Sequence, residues 1–238
     1  MKTSIYLLRV ALIFFVITPA FCQNVDEIIE KHVQAMGGKE NLNKVKTLIT
    51  ERSMSASGVD VTITSSMIVG KSIRNDSEMM GHTITQVYHN GEGWVIQPAI
   101  MGGDGTAQDM TKEQVKQQLS QLDPFGALIN YQQKGHKVKL VGKEKLGQTD
   151  HFHIIVYTAD GLEIDEYLNT ETYMVTKVSV PGNEELADIR FEGFDEIEGI
   201  KFPKNMLVKS QMGTINFTTQ KVLVNPAISE EIFVKPGK

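Results

Sequence analysis

Two periodicities divide the chain. Val25, Ile28, Ile29, Val33 and Met36 recur at three- and four-residue intervals and so share one face of a helix. Asn24 and Glu27 have the spacing of an N-cap and its reciprocal partner, and Gly37-Gly38 supplies the stop. A second short turn carries Leu42 and Val45 before a first strand begins near Leu48. The repeat then shortens to two: Val59, Val61, Ile63, Met67 and Val69 alternate with Asp60, Thr62, Thr64 and Ser66, the pattern of a strand with one buried face. The alternation returns in Phe152, Ile154 and Val156, in Leu162, Ile164 and Leu168, and in Ile189 and Phe191 against Asp188, Arg190 and Glu192. Turn pairs punctuate these runs at Asn90-Gly91, Asp160-Gly161, Pro181-Gly182, Glu198-Gly199 and Met212-Gly213. Such short connections predict an antiparallel meander, because parallel neighbours require crossover helices.

One stretch breaks the run of strands. The Gly-rich segment from Met101 to Gly105 precedes a predicted helix over 111–122, striped by Val115, Leu119 and Leu122, and an apolar piece then runs from Asp123-Pro124 through Tyr131. The expected fold is α+β and mainly β: a strongly curved antiparallel sheet, its concave face covered by the N-terminal helix and this middle helical insertion. No low-complexity linker divides it, so residues 23–238 are expected to form a single β-rich domain.

The first residues change the picture of where that domain works. Lys2 and Arg9, the apolar run from Val10 to Ile17, Pro19 and the Ala20-Phe21-Cys22 site have the parts of a secretory signal, so residues 1–22 are expected to be removed. The run is too short for a spanning helix, which takes about 20 apolar residues. The alternative is a lipid anchor on Cys22, which Phe21 disfavours because the anchoring signal ends in a small residue. Cys22 is the one cysteine, so the mature chain has neither disulfides, thiolate catalysis nor Cys-ligated zinc. Losing Lys2 and Arg9 leaves 22 cations against 29 acids, a net charge of −7. The cations are dispersed among carboxylates, which disfavours a nucleic-acid role, so no nucleic-acid partner is expected.

Candidate chemistry is sparse. His151 and His153 lie two apart, on one strand face, but a metal would need a third ligand from Asp150 or His136, and a solvent-facing pair is the simpler reading. Gly102-Gly103-Asp104-Gly105 with Asp109 lacks both the ligand spacing of a calcium loop and the Lys-Ser/Thr of a phosphate loop. Asp195, Glu196 and Glu198 read as a solvated turn. No nucleophile or metalloprotease string occurs. The expectation is therefore a protein without catalytic residues, cofactor or metal.

Several pieces resemble the periplasmic lipoprotein-sorting family, the LolA/LolB-like proteins, in their Bacteroidetes-type version. These are Ala35-Met36-Gly37-Gly38, the run Tyr88-His89-Asn90-Gly91-Glu92-Gly93-Trp94 with Pro98, and Lys134-Gly135-His136-Lys137-Val138. Tyr167-Leu168-Asn169 with Glu171-Thr172, Gly199-Ile200-Lys201-Phe202-Pro203, Asn225-Pro226 and Phe233 complete the set. The resemblance implies a half-open β-barrel in the periplasm, with transient membrane contact, whose apolar interior receives lipid or lipoprotein acyl chains. Burying hydrocarbon yields about 0.8 kcal/mol per CH₂, so acylated cargo needs shielding to cross water. A pliable lining suits both uptake and release, and methionine supplies it.

On that reading the candidate lining is Met54, Val61, Ile63, Met67, Met79, Trp94, Ile96 and Met101. The family couples its lid to the barrel through an Arg-Pro pair. The corresponding stretch here is Gly70-Lys71-Ser72-Ile73-Arg74, which leaves Lys71 and Arg74 as the nearest lid or gating candidates. The alternative function is an envelope sensor or interaction module that binds a protein partner on the same fold.

Overall fold

The computed structural model describes residues 24–56, 58–182, 188–210 and 213–237. The expected signal peptide and Met212 lie outside them.

Helix α1 (Val25–Ala35) begins where Asn24 Oδ1 accepts the Asp26 N–H at 3.1 Å. Glu27 is not the reciprocal cap partner expected from its spacing; it pairs with Lys31 one turn on, at 2.9 Å. A single turn of helix, α2 (Lys39–Lys44), follows Gly38. Five strands come next in a meander: β1 (Thr47–Ala56), β2 (Val59–Ile68), β3 (Ser72–Met79), β4 (His82–His89) and β5 (Glu92–Ile96). The Gly-rich segment leads through a 3-10 turn (Ala99–Met101) to the short β6 (Ala107–Asp109).

The middle helix is α3 (Lys112–Leu119), tightening to a 3-10 turn over Ser120–Leu122. Thr111 and Gln114 form the capping box that starts it, the Thr111 Oγ1 accepting the Gln114 N–H and the Gln114 Oε1 accepting the Thr111 N–H. Seven strands complete the chain: β7 (Lys137–Leu146), β8 (Thr149–Tyr157), β9 (Glu163–Asn169), β10 (Val175–Ser179), β11 (Asp188–Ile197), β12 (Ile200–Ser210) and β13 (Gly213–Val224). A last 3-10 turn spans Glu230–Phe233.

All thirteen strands of the described residues belong to one antiparallel sheet, ordered β6-β5-β4-β3-β2-β1-β13-β12-β11-β10-β9-β8-β7. The two meanders are joined where β1 pairs with β13. The outer strands β6 and β7 have no mutual pairing, so the curved sheet stays unclosed. Two-residue turns of primed type tie neighbouring strands, as at Asn90-Gly91 and Glu198-Gly199, where both residues have positive φ.

Both faces of the sheet carry cores. On the inner face, Met36, Leu42 and Val45 pack with Leu48, Met67, Ile73, Tyr88, Ile200, Phe202 and Val222. Beside them Ile28 and Ile29 of α1 join Leu128, Phe152, Ile154, Val156 and Leu168. On the outer face a smaller core, Val87, Trp94 and Phe233, lies beneath the C-terminal segment.

Candidate functional site

Cross-strand partners share a face of a sheet, so the register sorts the candidate residues. Leu48 pairs with Met67, Thr50 with Ser65, Arg52 with Ile63 and Met54 with Val61. Val61 in turn pairs with Met79, and Met67 with Ile73. Five sequence-nominated residues, Met54, Val61, Ile63, Met67 and Met79, therefore stand on the inner face.

They do not form one surface. Met67 sits at the covered end, buried in the core with Met36 and Ile73. Met54, Val61, Ile63 and Met79 lie towards the opposite ends of their strands. Strands of 10 and 12 residues such as β1 and β13 extend roughly 33–40 Å, and the helical segments pack where β1 starts. Beyond them a row continues across six strands: Phe191, Met206, Phe217, Met54, Val61 and Met79, each paired with the next. Val61 is buried and the other five are half-buried. A second apolar row, Ile189, Val208 and Ile215, runs beside it.

The expected hollow beneath the helices is occupied by the protein's own side chains, because Met36, Leu42, Val45, Leu122 and Ile129 fill that end. Two surface hollows, of about 420 and 490 Å³, lie elsewhere and open to solvent. Met54 and Val61 border the second, but its other walls are polar: Ser53, Ser55, Asp60, Thr62, Asn216 and Thr218.

Trp94 and Ile96 fall on the opposite face, because Gly93 pairs with inward Tyr88 and the next residue must point outward. Trp94 packs on Phe233 and donates its indole N–H to the Phe233 carbonyl at 3.0 Å. Lys71 and Arg74 hold the same segment. Lys71 pairs with Glu230 at 2.7 Å. Arg74 grips Asp76 through two nitrogens and donates a third bond to the Ile232 carbonyl at 3.0 Å. Among the described residues they clasp the C-terminal strap rather than the helices over the inner face. Met101 ends the 3-10 turn before β6, its carbonyl accepting from the Gln97 side chain, apart from the six-strand row.

The histidine pair is already engaged. His151 is buried, its Nδ1 against the Thr149 carbonyl. His153 lies between Glu144 and Asp165, at 2.8 and 2.6 Å, and stacks on Tyr167.

Two buried titratable groups support the covered end. Burial pushes the Glu166 carboxyl up to about 7, with Lys134 opposing, Asp123 reinforcing and the Ala127 N–H opposing. Burial lowers His32 to about 4 against the bond its Nδ1–H donates to the Tyr173 carbonyl. Their effects on stability have opposite signs. Between pH 4.5 and 7 the folded chain holds the Glu166 proton more tightly than the unfolded one, so stability falls as pH rises. Between pH 6.5 and 4 the unfolded chain protonates His32 first, so stability falls as pH falls. Each contribution reaches at most about 3 kcal/mol. Glu166→Gln is expected to leave acid stability unchanged, raise it at pH 8, and expose a His32-dependent rise from pH 4 to 6.5. Urea unfolding across that range checks this, and an unchanged profile would contradict it.

Sequence reasoning missed Phe191 as a partner of this row, and Met206, Phe217 and Arg52 altogether. Met206 with Val208 and Ile215 with Phe217 show the two-residue alternation that would have flagged them.

No family model matches the chain, and no curated protein matches it. Solved structures do share its fold. A LolA superfamily protein from Nitrosomonas europaea superposes with a TM-score of 0.56 at 13% identity, covering 88% of this chain and 97% of its own. A putative outer membrane lipoprotein-sorting protein domain from Vibrio parahaemolyticus gives 0.55 at 13%, with 87% and 94% covered. A DUF1329 family protein from Desulfovibrio piger gives 0.55 at 12%, with 88% and 97% covered. The fold is LolA/LolB-like, as the resemblance implied. Among the described residues, no helix is long and apolar enough to cross a membrane.

Proposed function

We propose that this chain is an exported, non-enzymatic binding protein that carries lipid or the acyl chains of lipidated cargo through the periplasm. The single observation that supports it best is the six-strand row from Phe191 to Met79. Five of its residues are large, apolar and only half-buried on the inner face of a lipoprotein-sorting type of fold. Three are methionines, whose flexible thioethers adapt to a chain that must enter and leave. Exposed apolar surface is costly in water and marks an interaction site when contiguous. Hydrocarbon laid on it recovers about 25 cal/mol for each Å² removed from water. The cargo on this reading lies at the uncovered end of the sheet, beyond the filled core.

The test is extraction of the gently purified mature protein with organic solvent and mass spectrometry of what it carries, paired with titration by a fluorescent fatty acid. Co-purifying lipid and saturable uptake are expected, and Phe217→Asp should lower uptake at least tenfold while leaving the fold intact, since the site is half-exposed. Protein that is empty and takes up no probe would overturn the reading.

A further inference from the structure

A cation stands in the middle of the greasy inner face. Arg52 lies on β1 between Ile63 of β2 and Thr219 of β13, next to Met54 in the six-strand row. The only hydrogen bond of its side chain among the described residues runs from Nη1 to the Thr50 hydroxyl at 3.3 Å. No described carboxylate pairs with it, whereas Arg74, Lys177 and Lys201 all have acidic partners. Desolvation lowers its pKa, with no described acid opposing that trend. A half-buried guanidinium without a described counter-charge is less favourable than a paired one unless something else supplies the anion. The β1–β13 register shifts between Glu51 and Arg52, a bulge of the kind that re-aims a side chain beside a site.

Polar and apolar zones succeed one another along these strands. Thr50 and Ser65 form a belt with Asn75, which Ser65 reaches at 2.6 Å, and Arg52 follows. The Met54 row comes next. A head followed by a tail would match this order.

We propose that Arg52 anchors the anionic head of an amphiphile, a carboxylate or phosphate oxygen, whose hydrocarbon tail lies along Met54, Phe217 and Met206. The guanidinium fork fits either oxyanion in bidentate fashion. The inference deepens the lipid-carrier reading and rests on it.

Three probes with the same long fluorescent tail test it on the mature protein: a carboxylic acid, its methyl ester and a phosphate monoester. Both anionic probes are expected to bind about tenfold or more tighter than the ester, the range of a charge-assisted bond. Arg52→Met should bring them down to the ester's affinity and leave the ester unchanged, and Arg52→Lys should keep part of the preference. Equal binding of acid and ester by the wild type, or a preference that survives Arg52→Met, would overturn the anchor while leaving the carrier reading in place. Arg52→Gln serves if the methionine variant fails to fold, and the wild-type comparison needs no variant. Displacement of the acid by inorganic phosphate alone would overturn the anchor as a small-anion site. Failure of all three probes, ester included, would overturn both readings together.

Discussion

Gly37→Ala is expected to destabilise the protein by at least about 3 kcal/mol. Gly37 has φ of 125°, where a side chain is strained, and an added Cβ would stand 2.2 Å from the Gly199 carbonyl oxygen and 3.0 Å from the Ile200 Cα. Neither atom can swing away, because both are backbone atoms where the turn after β11 enters β12. The contact is pinned from both sides, since the Lys201 N–H donates to the Met36 carbonyl at 3.0 Å. A methyl group there must push α1 off the sheet, with Met36 and its neighbours in the inner core. Gly91→Ala is the control: its φ of 93° brings the same kind of strain, but nothing lies within 4 Å of the added Cβ. It should cost about 1 kcal/mol. Urea midpoints of the two variants measure the difference, and equal losses would show that the close approach carries no weight.

Trp94→Ala should have a comparable effect, about 3–5 kcal/mol for a buried indole. Trp94 is 5% exposed and anchors Phe233, which also stacks on His89 with ring centroids 5.9 Å apart. Its loss frees the strap that Lys71, Arg74 and the Lys235–Asp109 pair otherwise hold more weakly. Limited proteolysis should then remove the C-terminal residues first. Trp94→Phe, which keeps the ring and loses the bond to the Phe233 carbonyl, should cost only about 1–2 kcal/mol. Trp94 is the one tryptophan in the chain, so its fluorescence reports on this strap alone. Because the indole faces away from the six-strand row, lipid uptake should leave its emission unchanged. A large spectral shift on binding a non-fluorescent fatty acid would place the ligand on the outer face instead.

These two contacts also explain why the family-like pieces of the sequence are where they are. The Ala35–Gly38 and Gly199–Pro203 segments meet as the docking point of α1 on the β11–β12 turn. The Tyr88–Trp94 run meets Phe233 as the seat of the strap. Asn225 caps the join of the two meanders, its side-chain oxygen accepting the Lys46 N–H at 2.7 Å. Such residues report packing between distant parts of the chain, which makes them good evidence for a fold and poor evidence for a ligand.

Much of the architecture is legible in the amino-acid sequence. Period-two alternation and primed turn pairs are local, and they specify strands and antiparallel neighbours; Asn24, Gly37 and Thr111 mark helix ends through hydrogen bonds only a few residues long. The candidate site was legible only in part, for a physical reason. Alternation announces that a strand has two faces without saying what covers either, so Trp94 and Met54 looked equivalent, though one lies under the strap and the other half-buried at the far end of the inner face. That assignment depends on β1 pairing with β13, on how far along the strands α1 and α2 reach, and on the outward turn of the C-terminal segment. Arg52 was silent for the same reason: a single cation in a polar-apolar strand acquires meaning when folding half-buries it on the inner face and no described carboxylate pairs with it.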